Sequence, residues 1–190
     1  SSLNGIDKQT LRTFQCSSDE IENLHHSALE IHHSPLFFFS SWSMTLQDIC
    51  DGIELLSKDE KLKIVIIDYL QLVSSYCSQG MEISSTLRLL AMKLDIAIVV
   101  LSQVDRRVEE NPNKRPVLSD LGFWSEIEQD ASLIAFIYRD EVYNNDTPDK
   151  NVAEIIVAKN NFGPIGTSLM TFNGGFSRFE KYKNPYLTVS

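Results

Sequence analysis

The chain has 190 residues, 43% of them hydrophobic, with a formal net charge of −9 and a mean hydropathy of −0.13. That length suits one domain with a proper core, and no apolar run approaches the roughly 18–20 residues of a membrane-spanning helix. The acidic balance argues against a broad nucleic-acid-binding surface, so contact with phosphates would have to come from local basic clusters such as Arg106-Arg107 and Lys114-Arg115.

The chain begins at Ser1, and the residues after it have neither the basic start nor the apolar middle of a signal peptide. It reads as a piece of a longer protein. Ser17 and Ser18 offer N-cap oxygens for a helix over 19–33, with Ile21, Leu24, Ala28 and Ile31 near helical spacing. The pairs His25-His26 and His32-His33 repeat at i,i+7, which suits a solvated helix rather than the i,i+4 spacing of metal ligands. Residues 36–39 read as a short buried strand. Thr45 is an N-cap candidate for a helix carrying Leu46, Ile49, Ile53 and Leu56.

The run Lys63-Ile64-Val65-Ile66-Ile67-Asp68-Tyr69-Leu70-Gln71-Leu72 is the most informative in the chain. It reads as a strand apolar on both faces, which belongs in a parallel sheet covered by helices. A helix over 82–94 comes next, with Ile83, Leu87, Leu90 and Leu94 on one side. The following strand ends in Ser102-Gln103, and a polar loop runs from 105 to 115. This strand–helix alternation is a parallel crossover pattern. The last third differs: 133–138, 152–158 and 167–172 read as strands joined by Asn-, Asp-, Pro- and Gly-rich loops, adding in antiparallel fashion at one edge. One α/β domain is the economical reading. The cysteines, Cys16, Cys50 and Cys77, are odd in number and show no metal spacing, which fits a reducing cytoplasm.

In open α/β sheets the working groups sit beyond the carboxyl ends of the strands. Asp68 therefore stands where a nucleotide-binding domain holds Mg²⁺ or orients a water, although an acidic strand-end residue can equally do no more than cap a turn. Gln103 stands one crossover later, at the end of the next strand. A lone glutamine there is usually a solvated end residue.

The Asp68-Tyr69-Leu70-Gln71-Leu72 continuation resembles the second helicase motif of the DnaB replicative helicase family. Ile98-Val99-Val100-Leu101-Ser102-Gln103, Lys114-Arg115-Pro116-Val117-Leu118-Ser119-Asp120-Leu121 and Ile127-Glu128-Gln129-Asp130-Ala131 come after it in the family's order. So do Phe136-Ile137-Tyr138-Arg139-Asp140-Glu141, Ala153-Glu154-Ile155-Ile156-Val157-Ala158-Lys159 and the stretch from Thr171-Phe172-Asn173-Gly174 to Arg178-Phe179. A weaker likeness reaches back through Arg12-Thr13. A RecA-like recombination or repair ATPase matches this string less well.

The resemblance implies a RecA-like motor domain of a replicative DNA helicase, a hexameric ring around single-stranded DNA that uses ATP and Mg²⁺, with primase and a helicase loader as possible partners. It makes Asp68 the Walker B carboxylate and Gln103 a sensor of the γ-phosphate. No G-x-x-x-x-G-K-[ST] phosphate loop occurs; in the family it and a catalytic Glu precede the region matched here. By itself the chain is expected to carry part of an ATP site and not to turn over ATP.

In the family a loop after the strand matching 153–159 offers two basic groups to the neighbouring subunit. The sequence here is Lys159-Asn160-Asn161-Phe162-Gly163-Pro164-Ile165-Gly166: Lys159 keeps the first group, and Asn161 replaces the arginine finger. The resemblance also implies nucleotide contacts at Gly163, Pro164 and Arg139, with an ion pair to Asp140 or Glu141 as the other reading of Arg139. The DNA-facing loop, basic in the family, reads Gly122-Phe123-Trp124-Ser125-Glu126, whose aromatics either stack on bases or pack against a neighbour. A second pore loop, between Leu72 and Glu82, is shorter than in the family. These departures leave an alternative, a non-catalytic helicase-derived ring subunit or interaction module.

Overall fold

The computed structural model describes residues 3, 5–40, 44–59, 61–73, 80–125 and 127–182. In chain order the elements are α1 (Lys8–Thr13), α2 (Ser18–His33), α3 (Leu46–Asp59), β1 (Ile64–Ile67), α4 (Gly80–Leu94), β2 (Ala97–Val100), α5 (Ile127–Asp130), β3 (Leu133–Tyr138), β4 (Val152–Asn160), β5 (Gly166–Asn173) and β6 (Arg178–Lys181). They fall into two compact units. One comprises Ser1–Phe39, Ile137–Ile156 and Thr167–Ser190; the other comprises Ser40–Phe136 and Val157–Gly166.

The second unit is built on β1 and β2, which pair in parallel from Ile64 opposite Ala97 to Ile67 opposite Val100. Helix α3 starts where Thr45 predicts. The Asp48 N–H donates to the Thr45 hydroxyl (3.1 Å), and the Asp48 carboxylate accepts from the Thr45 N–H (2.9 Å) and hydroxyl (2.7 Å). This reciprocal cap satisfies donors that the first turn leaves open. The hydroxyl bond, followed by the backbone bond, also holds the Asp48 carboxyl below its ordinary range.

Helical spacing puts Ile83, Leu87 and Leu90 of α4 on one buried stripe. Ile83 and Leu87 pack with Leu70 and Val73, joined by Ile67, Ile98 and Val100 from the strands. A neighbouring cluster gathers Cys50, Ile53 and Leu90 with Val65, Leu94 and Ile98. The helices thus cover the sheet face that carries Val65, Ile67, Ile98 and Val100.

The opposite face differs from the expectation of a strand buried on both sides. Ile64, Ile66 and Val99 are 59%, 66% and 45% exposed. Residues 36–39 also depart from expectation. They form no strand, and Phe38 and Phe39 are 81% and 61% exposed. A strand needs a neighbouring backbone to bond; here the Leu36 N–H is taken by the nearby Ser34 carbonyl at 2.8 Å, in the turn that ends α2.

In the first unit, α2 opens with a full capping box. The Ser17 hydroxyl accepts from the Glu20 N–H (3.3 Å), and Glu20 accepts from the Ser17 N–H (2.8 Å). No residue of α2 is buried. Helix α1 is capped by Asp7, and its first N–H, on Lys8, donates to the Gly175 carbonyl at 2.8 Å. Gly175 has to lack a side chain, since a Cβ would lie 2.5 Å from the Asp7 carboxylate.

The later strands are bonded in the order β3-β4-β5-β6. β3 alternates burial at Ile134, Phe136 and Tyr138 as period-2 patterning requires. β5 and β6 are antiparallel, from Met170 opposite Lys181 to Asn173 opposite Arg178, with the Phe172 and Phe179 rings 5.0 Å apart.

Candidate active site

At the carboxyl end of the parallel pair the ladder continues past the strands. The Leu101 N–H donates to the Ile67 carbonyl and the Leu70 N–H to the Leu101 carbonyl, each at 2.9 Å. Asp68 lies between these anchor points and is exposed; its peptide bond to Tyr69 is cis. The chain then enters a short 3-10 turn, Leu70–Leu72, anchored by Leu70 at 1% exposure. The Gln71 side chain turns toward the other strand end and bonds Ser102 and the backbone of Gln103. Gln103 itself is exposed. Asp68 and Gln103, which stand in sequence as separate strand ends, thus sit at the same end of the same sheet.

Lys159, on β4, is tied to α5. Its ammonium donates to the carbonyl of Glu128 and, at 3.4 Å, to that of Gln129. A cation on open helix carbonyls is favourably placed against the helix dipole. Helix α5 is fixed in turn by Asp130, which accepts from the Ser84 hydroxyl of α4 at 2.6 Å. The loop beyond Lys159 is shaped by Asn160, a residue that sequence reasoning misses. Its carboxamide accepts from the Phe162 N–H (3.0 Å) and donates to the Pro164 carbonyl (3.3 Å). An asparagine just before a Gly-Pro turn is the signal that could have found it. A Cβ on Gly163 would come within 3.1 Å of that amide nitrogen. Asn161 anchors through its backbone, donating to the Ser132 carbonyl at 2.9 Å, while Phe162 and Ile165 stand 86% and 67% exposed.

Arg139 belongs to the other unit. Its guanidinium grips Glu141 through Nη2 (2.5 Å) and Nε (3.1 Å) and lies 3.9 Å from the centre of the Phe172 ring. Of the two acidic neighbours considered, Glu141 is the ion-pair partner; Asp140 instead accepts from the Tyr138 hydroxyl at 2.6 Å. The Asn151 N–H and then the Arg139 guanidinium hold the Glu141 carboxyl below its ordinary range.

The basic clusters after β2 are partly neutralised. Arg107 forks onto Asp105 through Nη2 (2.7 Å) and Nε (3.1 Å), an arrangement that brings the Asp105 carboxyl down to about 2. Lys114 donates to the Glu109 carbonyl, the Arg115 N–H donates to Asn113 (3.2 Å), and the Arg106 and Arg115 residues are exposed. Asp105 also joins this loop to the next through its N–H, which donates to the Asp120 carbonyl at 3.1 Å. Gly122 takes φ 59° and ψ −122°, a backbone state that favours glycine, and a Cβ there would meet Asp105 at 3.1 Å. Phe123 and Trp124 lie in the 3-10 segment Leu118–Trp124; their side chains, and Glu126, are outside the described residues. So are residues 74–79, which include Cys77 and most of the stretch expected to form a second pore loop. Among the described residues no group of three His, Cys, Asp or Glu side chains could hold a metal ion, and no helix is long and apolar enough to cross a membrane.

A parallel pair with a carboxylate and an amide at its carboxyl end, followed by antiparallel strands, defines the RecA-like class of ATPase domain. One solved ATPase domain superposes with a TM-score of 0.89 at 31% identity, covering 96% of this chain and 68% of that one. A DnaB-like replicative helicase, solved in a study of its interactions with primase, gives the same TM-score and identity over 96% of this chain and 46% of that one.

The chain belongs to the DnaB-like helicase C-terminal domain family, which matches residues 1–181. The replicative DNA helicase DnaB of Haemophilus influenzae is 41% identical over 189 residues, which are 94% of this chain and 40% of that protein. That of Geobacillus stearothermophilus is 34% identical over 181 residues, 92% of this chain and 40% of that protein. The chain therefore spans about two fifths of the length of these relatives.

Proposed function

We propose that this chain is part of a single RecA-like motor domain in a replicative DNA helicase that couples ATP hydrolysis to movement along single-stranded DNA and unwinding of the duplex. The observation that carries this reading is the convergence of Asp68 and Gln103 at the carboxyl end of β1 and β2, in the family's order. The helicase works in the cytoplasm as a hexameric ring, with primase and a loader as partners. Primase is a partner of the similar DnaB-like helicase of known structure, which supports that part of the reading.

An exposed single carboxylate suits Mg²⁺, which keeps several waters and is held by one or two carboxylates together with substrate phosphates. When bound, the ion supplies charge neutralisation at the phosphates. Asp68 would be the carboxylate that holds it. Gln103 presents its side-chain amide to the γ-phosphate and registers its loss. Arg139, on its Glu141 and Phe172 platform, meets the base or ribose, and Gly163 and Pro164 shape the loop that approaches the nucleotide. Lys159 reaches a neighbouring subunit's phosphate only by giving up the carbonyls of Glu128 and Gln129. DNA phosphates are met by Arg106, Lys114 and Arg115, and by Arg107 once it exchanges Asp105 for a phosphate; Gly122, Phe123 and Trp124 carry the loop that faces the strand.

A second reading, a ring subunit without turnover, is favoured by Asn161, an uncharged side chain where the family places its arginine finger. Mg²⁺-ATP turnover by the complete protein, with and without single-stranded DNA, decides between them. DNA-stimulated turnover supports the motor. A folded, assembled ring that does not hydrolyse ATP supports the binding subunit.

A further inference from the structure

Gln71 is half-buried, and neither strand periodicity nor the family likeness of its motif says what its side chain does. Its amide faces Gln103 with both ends. Nε2 donates to the Ser102 hydroxyl at 3.0 Å and to the Gln103 carbonyl at 3.2 Å, and Oε1 accepts from the Gln103 N–H at 3.3 Å. A carboxamide carries a donor and an acceptor side by side, so it can pair with a backbone N–H and C=O as a neighbouring strand would. β2 has ended at Val100, and the backbone pairing across the two strand ends closes with Leu70 on Leu101. Gln71 carries the pairing two residues further. Its own base is firm, since Leu70 and Val73 on either side of the turn are 1% and 8% exposed in the core.

From these contacts we infer that Gln71 is a positioning residue, clamping the backbone of Gln103 so that the Gln103 side chain is aimed where the nucleotide's terminal phosphate binds. The inference rests on the sensor reading of Gln103 given above. A clamp of this kind acts on orientation, and loss of orientation lowers turnover more than ground-state binding.

The test uses the complete protein carrying Gln71→Ala, Gln103→Ala or both, with Gln71→Glu as a near-isosteric control that puts an oxygen against the Gln103 carbonyl. Single-residue amide hydrogen exchange is expected to speed up about 5- to 10-fold at the Gln103 N–H in Gln71→Ala, with the Leu101 N–H unchanged. In both Gln71 variants kcat is expected to fall roughly 10- to 100-fold while KM for ATP stays within about 3-fold. The double variant should be no worse than Gln103→Ala alone, as for residues acting as one unit. Unchanged exchange at Gln103 overturns the clamp whether or not ATP is turned over. Losses in kcat that multiply in the double variant overturn the route through Gln103. If the wild-type protein has no turnover, the motor reading fails, and the exchange result still decides the clamp.

Discussion

On the proposed reading, two loops of the same unit meet the family pattern differently: the end of β1 and β2 carries the expected carboxylate and amide, and the loop after β4 carries Asn161 where an arginine is expected. At the strand ends, position is set by backbone. Two 2.9 Å ladder bonds and a turn anchored by Leu70 place Asp68, and the Gln71 amide carries the pairing on to Gln103. In the loop after β4, the Asn160 carboxamide and the Asn161 N–H fix the path, and on the proposed reading the group this loop offers is an amide, Asn161, where the family resemblance implies an arginine. A well-fixed loop path does not by itself supply a charge to a neighbouring phosphate.

The largest expected effect tests the half that keeps the pattern. Asp68→Asn removes the anionic oxygen and preserves size, and turnover by the complete protein should fall by roughly 10²–10³-fold with little change in melting temperature, because the side chain is exposed. Steady-state ATP hydrolysis beside a thermal melt checks this. Wild-type rates in the variant would reduce Asp68 to a turn residue.

A smaller effect, of opposite sign, tests the half that departs. Asn161→Arg should raise DNA-stimulated turnover by at least about 10-fold, below the roughly 10³–10⁵ that such fingers supply elsewhere. The gain should require assembly, because the group acts on a neighbour's nucleotide, and mixing in Asp68→Asn subunits should expose that dependence. No gain in an assembled ring would count against a finger at this position. Either Lys159 would then carry the charge, or the loop would have another use, for which the 86% exposed Phe162 is a candidate contact.

Local periodicity makes much of this unit legible. α3, α4, β2 and β3 announce themselves through caps and apolar spacing, and Thr45, Ile83, Leu87 and Leu90 do what their spacing says. The failures are non-local. Residues 36–39 have strand composition, but a strand also needs a backbone beside it, and composition says nothing about that. β6, Arg-Phe-Glu-Lys, goes unassigned as a strand because three of its four residues are charged; its pairing with β5 makes it one. The strand run 64–67 promises cover on two faces, and Ile64 and Ile66 on the second stay 59% and 66% exposed. Gln71 stands inside the Asp68–Leu72 motif, yet its amide bonds a partner 32 residues away. Asp105 reads in sequence only as part of a polar loop, though it ties two loops together.

In that loop the charge of Arg107 is already spoken for, and the expected effect is small. Asp105 has its carboxyl held down to about 2, first by the Arg107 side chain and then by the Arg107 N–H. Because the folded value lies below the unfolded one, the contact stabilises the loop above the ordinary carboxylate range near 4, and that contribution is lost as pH falls through about 2. Carboxyl-detected NMR titration should place the midpoint near 2, and Arg107→Ala should move it up toward the ordinary value. The ion pair is surface-exposed, so salt should raise the midpoint as well. Single-stranded DNA that engages Arg107 has to compete with Asp105 for the same guanidinium. Bound DNA should therefore shift the Asp105 midpoint upward if Arg107 is a phosphate contact, and leave it in place if the pair only braces the loop.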